Sequence, residues 1–189
     1  MGWDGTYPTH YKKGKVDRKA ECDKRFTWET EDRIISVVKS QVVGTTYYGA
    51  IKEESKKDGS SNVTAAICLT RMDRDGMFMV KSMHETEGPY VYTCPKSILD
   101  LLTPIDSEWA NKWRNKCREN SMKPKLSDLP EGTKIQFTCP FETTYYHEGD
   151  IITLEKKLKH NWKRKTYAWI SDGYIRWGTQ MIPDNYVLL

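Results

Sequence analysis

RIISVVKSQVVGTTYYGAI, running from Arg33 to Ile51, is the most strand-like passage of this chain. Ile34, Ile35, Val37 and Val38, then Val42, Val43, Tyr47, Tyr48 and Ile51, are β-branched or aromatic. Such side chains fit a pleated, half-buried surface. Gly44 and Gly49 interrupt the run and are expected to mark bulges or bends. The charged segment Lys52–Ser61 reads as a turn region, followed by strands at Asn62–Leu69 and Met77–Met83. Their connection, Asp73-Arg74-Asp75-Gly76, ends in Asp-Gly, a pair that tolerates the positive φ of tight hairpins. Together these segments predict an antiparallel meander of about four strands.

Outward from that meander the pattern changes on both sides. Met1 to Gly14 reads as an irregular aromatic arm carrying Trp3, Tyr7, His10 and Tyr11, and Asp17 caps a short helix reaching about Arg25. On the far side, Cys94-Pro95 opens a short helix through Leu102, which Thr103-Pro104 stops. Asp106 or Ser107 caps a second helix, whose Trp109, Trp113 and Cys117 are expected to form a buried stripe, with Lys112, Arg114, Lys116 and Arg118 on solvated faces. Residues 123–132 are linker-like, with Lys123-Pro124-Lys125 and Asp128-Leu129-Pro130-Glu131-Gly132. Strands return at Lys134–Thr138, Asp150–Lys157, Thr166–Ser171, Tyr174–Trp177 and Val187–Leu189, the spacing of a small β-barrel. The expected fold class is α+β: an antiparallel sheet with packed helices over residues 1–122, then a small C-terminal barrel over 133–189.

Composition narrows the function classes. The 189 residues carry 30 basic and 26 acidic side chains, a net charge of +4, which permits contact with nucleic acid without demanding it. A mean hydropathy of −0.74 would suit a disordered chain, but seven Trp and eleven Tyr supply large areas to bury. No apolar run approaches a membrane span, and the first thirty residues lack the apolar core of a signal peptide. Cys22, Cys68, Cys94, Cys117 and Cys139 are far apart and odd in number, which suits reduced thiols in the cytoplasm. The sequon Asn62-Val63-Thr64 then goes unused. His10, His84, His147 and His160 lack metal-ligand spacing, and no phosphate loop or nucleophile elbow is present, so no metal and no cofactor are expected.

Three constellations remain. The segment Lys156, Lys157, Lys159, His160, Lys163, Arg164, Lys165 surrounds Trp162, cations beside an aromatic, a pattern suited to a phosphate backbone with a stacked base. The plainer reading is a solvated hairpin tip. Lys12, Lys13, Lys15, Arg18 and Lys19 form a second cluster near Tyr7 and Tyr11. Cys94, at a helix start beside Lys96, would have its thiol pKa lowered, with His84 as a base; the competing and favoured reading is a small buried residue.

Two resemblances add to this reading. Glu148-Gly149-Asp150-Ile151-Ile152-Thr153-Leu154-Glu155 resembles the diverging turn and strand of Src-homology-3 domains, and Ile182-Pro183-Asp184-Asn185-Tyr186-Val187 their closing strand. The resemblance implies a groove for proline-rich peptides lined by Pro183 and Tyr186, with Trp162 or Trp169. The chain also resembles an uncharacterised family of phages and mobile elements of Firmicutes. That likeness rests on Met1-Gly2-Trp3, Thr9-His10-Tyr11-Lys12, Asp17-Arg18-Lys19-Ala20-Glu21 and the run Cys94 to Pro104. The expected function is therefore a cytoplasmic, non-enzymatic accessory protein of such an element. It would contact nucleic acid through Lys12, Lys13, Lys157, Lys159, Lys163, Arg164 and Lys165, with Trp162 stacking. A second reading is a protein-interaction module, such as an inhibitor of a host defence factor, anchored by exposed Trp3, Tyr7, Trp162, Pro183 and Tyr186. A cysteine-dependent enzyme is third.

Overall fold

A computed structural model describes residues 2–89, 91–124, 129–138, 148–155, 168–171, 175–178 and 186–189. The chain divides into two units, Met1–Ser121 and Met122–Leu189. Antiparallel sheets dominate, with a few short helices.

The meander forms the centre of the first unit as β5 (Arg33–Val43), β6 (Thr46–Ser55), β7 (Ser61–Met72) and β8 (Phe78–His84). Two short strands extend it: β1 (Asp4–Thr6) pairs with β8, and β4 (Trp28–Glu29) with β5. The resulting six-stranded order is β1-β8-β7-β6-β5-β4. Lys52–Ser55, expected in a turn, belong to β6; all four pair with β5, and Lys52, Glu53 and Glu54 also pair with β7. Their neighbours in the ladder satisfy the backbone, which outweighs the low strand propensity of Lys and Glu. At the Asp73–Met77 turn, the Asp73 carboxylate accepts the amides of Asp75 (3.0 Å) and Met77 (2.7 Å), and Gly76 takes φ +80°.

Alternation along the strands splits the core into two layers. Tyr48, Ala50, Ala65, Ile67 and Met83 pack on one face against Cys94, against Ile98 and Leu99 of α2 (Lys96–Leu99), and against Trp113 and Cys117 of α3 (Glu108–Met122). Tyr47, Cys68, Phe78 and Val80 pack on the other against Cys22 of α1 (Arg18–Arg25). Ile35, Val37 and Val42 all belong to this second face, although an uninterrupted period of two cannot hold both Val37 and Val42 there. A register shift between Val37 and Lys39 resolves the conflict: Val38 is an extra residue, and the alternation restarts beyond it. Gly49, by contrast, lies in regular register opposite Ser40 and Ala66. A Cβ there would come within 2.7 Å of the Tyr47 hydroxyl, so this glycine makes room for a neighbouring ring and does not bend the strand.

Helix boundaries follow their caps. The Asp17 carboxylate accepts the amides of Lys19 and Ala20 at 3.1 Å, starting α1, and Ser107 Oγ accepts the Ala110 amide at 3.3 Å, starting α3. The buried stripe of α3 is not the expected one. It comprises Ala110, Trp113, Arg114 and Cys117, and Trp109 is 63% exposed. A strict i+4 spacing drifts by about 40° per step at 3.6 residues per turn, so Trp109 leaves the seam that Trp113 and Cys117 share. Arg114, expected in solvent, lies inside the core because Glu85 is there to receive it. Glu85 opens a single 3-10 turn (Glu85–Glu87) after β8. Its carboxylate accepts Arg114 Nε at 2.6 Å, Arg114 Nη2 at 2.7 Å and the Ala65 amide at 3.0 Å, while Arg114 Nη1 donates to the Thr103 carbonyl at 2.6 Å. All charge in the pair is compensated, as burial requires.

The second unit contains β9 (Lys134–Phe137), β10 (Ile151–Glu155), β11 (Ala168–Ser171), β12 (Ile175–Gly178) and β13 (Tyr186–Leu188). They form one antiparallel sheet ordered β12-β11-β10-β9-β13, with the last strand returning to pair with the first. Ile135, Phe137, Ile152, Leu154 and Tyr186 make its core. Among the described residues no helix is long and apolar enough to cross a membrane.

Candidate nucleic-acid interface

The basic and aromatic residues near the N-terminus lie on an arm with defined structure, not on an irregular one. Four attachments hold it. β1 adds to the sheet edge, with Asp4, Gly5 and Thr6 opposite Val80, Met79 and Phe78. The Arg71 guanidinium lies over the Trp3 ring, 4.2 Å from its centroid, and Arg25 donates to the Asp4 carboxylate and the Thr6 hydroxyl. Further along, the buried Glu21 carboxylate of α1 accepts the backbone amides of Thr9 and His10 and lies 3.1 Å from His10 Nδ1. Burial alone would raise the Glu21 pKa, but the His10 and Thr9 amides outweigh it and hold the carboxyl below its ordinary value.

Beyond this clamp the chain makes a small hairpin, β2 (Tyr11–Lys12) and β3 (Lys15–Val16), which runs directly into the α1 cap. Its two-residue turn has Lys13 at φ +51° and Gly14 at φ +72°. Both central residues at positive φ suit the right-handed twist of the flanking strands. Lysine is an uncommon occupant of that region, which costs an L residue roughly 1–2 kcal/mol, so no turn signal was visible at Lys13-Gly14.

The charges of the arm then separate into two groups. Lys19 pairs with Asp23 at 2.6 Å, Arg25 with Asp4, and Arg18 reaches the Thr70 hydroxyl at 2.7 Å. Lys12, Lys13 and Lys15 are exposed on the hairpin, and among the described residues none has a carboxylate within ion-pair distance. Tyr11, on the same hairpin, is 61% exposed, and Tyr7 is 70% exposed beside an open cavity of about 290 Å³ lined by Thr6, Tyr7, Glu21, Lys24 and Arg25. The hairpin therefore carries uncompensated cations next to free aromatic rings.

The other expected site residues fare differently. Lys157, Lys159, Trp162, Lys163, Arg164, Lys165 and Pro183 lie outside the described residues. Tyr186, expected as an exposed anchor, is buried in the core of the second unit, with Lys123 Nζ 4.5 Å from its ring centroid. Its position on β13, paired with Phe137 of β9, turns it inward. Trp3 is half-covered by Arg71.

Cys94 does not have the environment of an activated thiol. It is buried in the layer beneath α2 and α3, and desolvation, with the nearby Glu85 charge, pushes its pKa up to about 12. α2 has only one turn, too short for its N-terminus to offset that cost. His84 is occupied elsewhere: Nδ1 is 2.7 Å from the Thr86 hydroxyl and Nε2 is 2.9 Å from that of Thr64. Among the described residues no group of three or more His, Cys, Asp or Glu is arranged to hold a metal ion. Glu21 was missed in the sequence because its partners are backbone amides more than ten residues away, for which side-chain pattern carries no signal.

Comparison with known proteins adds one likeness. No curated protein and no solved structure matches the chain. Residues 104–177 match the model of a family described as a domain of unknown function, DUF6927, a stretch running from the residues before α3 to β12.

Proposed function

We infer that this chain is a non-enzymatic accessory protein of a phage or mobile element and that it contacts nucleic acid in the cytoplasm. The observation carrying this reading is the hairpin at residues 11–16, which holds Lys12, Lys13 and Lys15 in solvent without carboxylate partners and presents Tyr11 beside them. Cations fixed on a two-stranded hairpin neutralise phosphates at little further entropic cost, and a free tyrosine ring offers a face to a base. Lys157, Lys159, Lys163, Arg164 and Lys165, with Trp162, would extend the footprint. The strand order β12-β11-β10-β9-β13 is compatible with a Src-homology-3-like barrel as their carrier. The hairpin's role is tested by fluorescence anisotropy with single-stranded and duplex oligonucleotides across a salt series. Replacing Lys12, Lys13 and Lys15 together by alanine is expected to weaken binding and to reduce the salt slope by roughly 2 to 3. Unchanged affinity and slope would remove the hairpin from the interface.

The second reading, a protein-interaction module, is favoured by the 70% exposure of Tyr7 beside a cavity. Binding that survives nuclease treatment, varies little with salt and is lost in Tyr7→Ala would select it.

A further inference from the structure

The large sheet is left open along one side. β4 covers only Ile34 and Ile35 of β5, whereas β5 continues to Val43 with β6 on its other side. Among the described residues nothing pairs with the outer side of Ser36–Val43, a ladder of backbone donors and acceptors about 26 Å long at roughly 3.3 Å per residue. Val38 is 48% exposed and Val43 is 52% exposed, Lys39 and Gln41 are exposed between them, and no proline or glycine interrupts the edge. Natural proteins protect such edges with charges and bulges; this one has a single lysine and the Val38 bulge.

We propose that the occupant of this edge is β5 of a second copy of the chain, so that two six-stranded sheets join into one continuous antiparallel sheet about a two-fold axis at Ser40. The sequence there is symmetric: Val37-Val38-Lys39-Ser40-Gln41-Val42-Val43 reads apolar, polar, apolar from either end. A two-fold interface requires such self-complementarity, because each residue meets the counterpart of its own partner. With Ser40 opposite itself, Lys39 meets Gln41 of the second copy, so no like-charged strand side chains are directly opposed, while the Asp23 carboxylate that accepts the Ser40 hydroxyl lies on one face beside the axis. Val42 then meets the Val37–Val38 bulge. That pairing respects the sheet faces, since Val37 and Val42 lie on the same one. The register also fills the free edge: the second copy's β5 ends opposite Ser36, just short of the residues that β4 already occupies.

The register is tested on the full chain by sedimentation velocity over a range of concentrations. A reversible dimer is expected for the native sequence. Gln41→Lys puts a lysine opposite Lys39 twice in the dimer and is expected to weaken it by roughly two- to thirtyfold. Gln41→Glu makes two opposite-charge pairs and is expected to tighten it at low salt. Gln41 is exposed, so neither change disturbs the fold, and circular dichroism of both variants checks this. A native chain that stays monomeric at high micromolar concentration, or a dimer indifferent to both substitutions, would overturn the proposal.

Discussion

Glu21 and Glu85 are both buried carboxylates of the first unit, yet they hold different things in different ways. Glu85 joins distant elements: the end of β8, the middle of β7 through the Ala65 amide, and α3 through both nitrogens of a bidentate Arg114. Glu21 joins only two segments, the first turn of α1 and the Thr9–His10 backbone of the arm. Arg114 meets Glu85 through two parallel N–H donors, so that carboxylate is held by a fixed, permanently charged partner. A carboxylate held by backbone amides can be discharged by a proton and released. The helix α3 is thus tied to the sheet by an ion pair, whereas Glu21 ties the arm to α1 through backbone amides, beside the β1 pairing and the Arg25–Asp4 contact.

Breaking the ion pair should produce the largest effect. Arg114→Met leaves the Glu85 carboxyl fully buried and without its cation, and is expected to cost about 3–5 kcal/mol in urea denaturation at neutral pH. Adding Glu85→Leu should recover much of that loss, because an apolar pair has no charge to desolvate. No recovery in the double variant would mean that α3 is held mainly by Trp113 and Cys117.

The clamp is expected to respond less and locally. Glu21→Ala should cost about 1–3 kcal/mol, read as faster amide exchange at Thr9, His10 and the hairpin while β5 to β8 remain protected. The pH dependence has a definite sign. The folded-state pKa of Glu21 is lowered, so its contribution is fully present above the pH where an unfolded glutamate titrates, about 4.3. It is lost as pH falls through the lower folded value. Acidification should therefore loosen the Thr9–His10 segment in the native protein, and this part of the pH response should be missing in Glu21→Ala.

The smallest effect sharpens the comparison from the side of the arm. Lys13→Asn places at φ +51° a residue that tolerates it and is expected to stabilise the hairpin by about 1 kcal/mol or less. Amide exchange at Tyr11 to Val16 would slow. If the hairpin contacts nucleic acid as proposed, the same variant removes one of its cations, and affinity for oligonucleotides should drop despite the firmer hairpin.

The long strands were legible in residue type alone, because β5 to β8 concentrate β-branched and aromatic side chains and their turns carry glycine. The α1 and α3 caps at Asp17 and Ser107 were equally local and equally readable. β1, β2 and β3 were not: a three-residue edge strand and a Lys-Gly turn have no pattern of their own, and their stability comes from β8 and Glu21. Among the candidate residues, the basic character of Lys12, Lys13 and Lys15 was visible from the start, but their lack of carboxylate partners was a matter of three-dimensional neighbours.

What the sequence alone determined is the antiparallel meander and the placing of its helices, since backbone propensity, caps and alternation act over a few residues. Tertiary structure decided which charges are spent and which remain available. Arg114 and Glu85 neutralise each other in the core, Glu21 is consumed by the arm, and the hairpin lysines are left in water. The reason is physical: pairing depends on distance in space and on the cost of desolvation, and neither is encoded at short range along a chain.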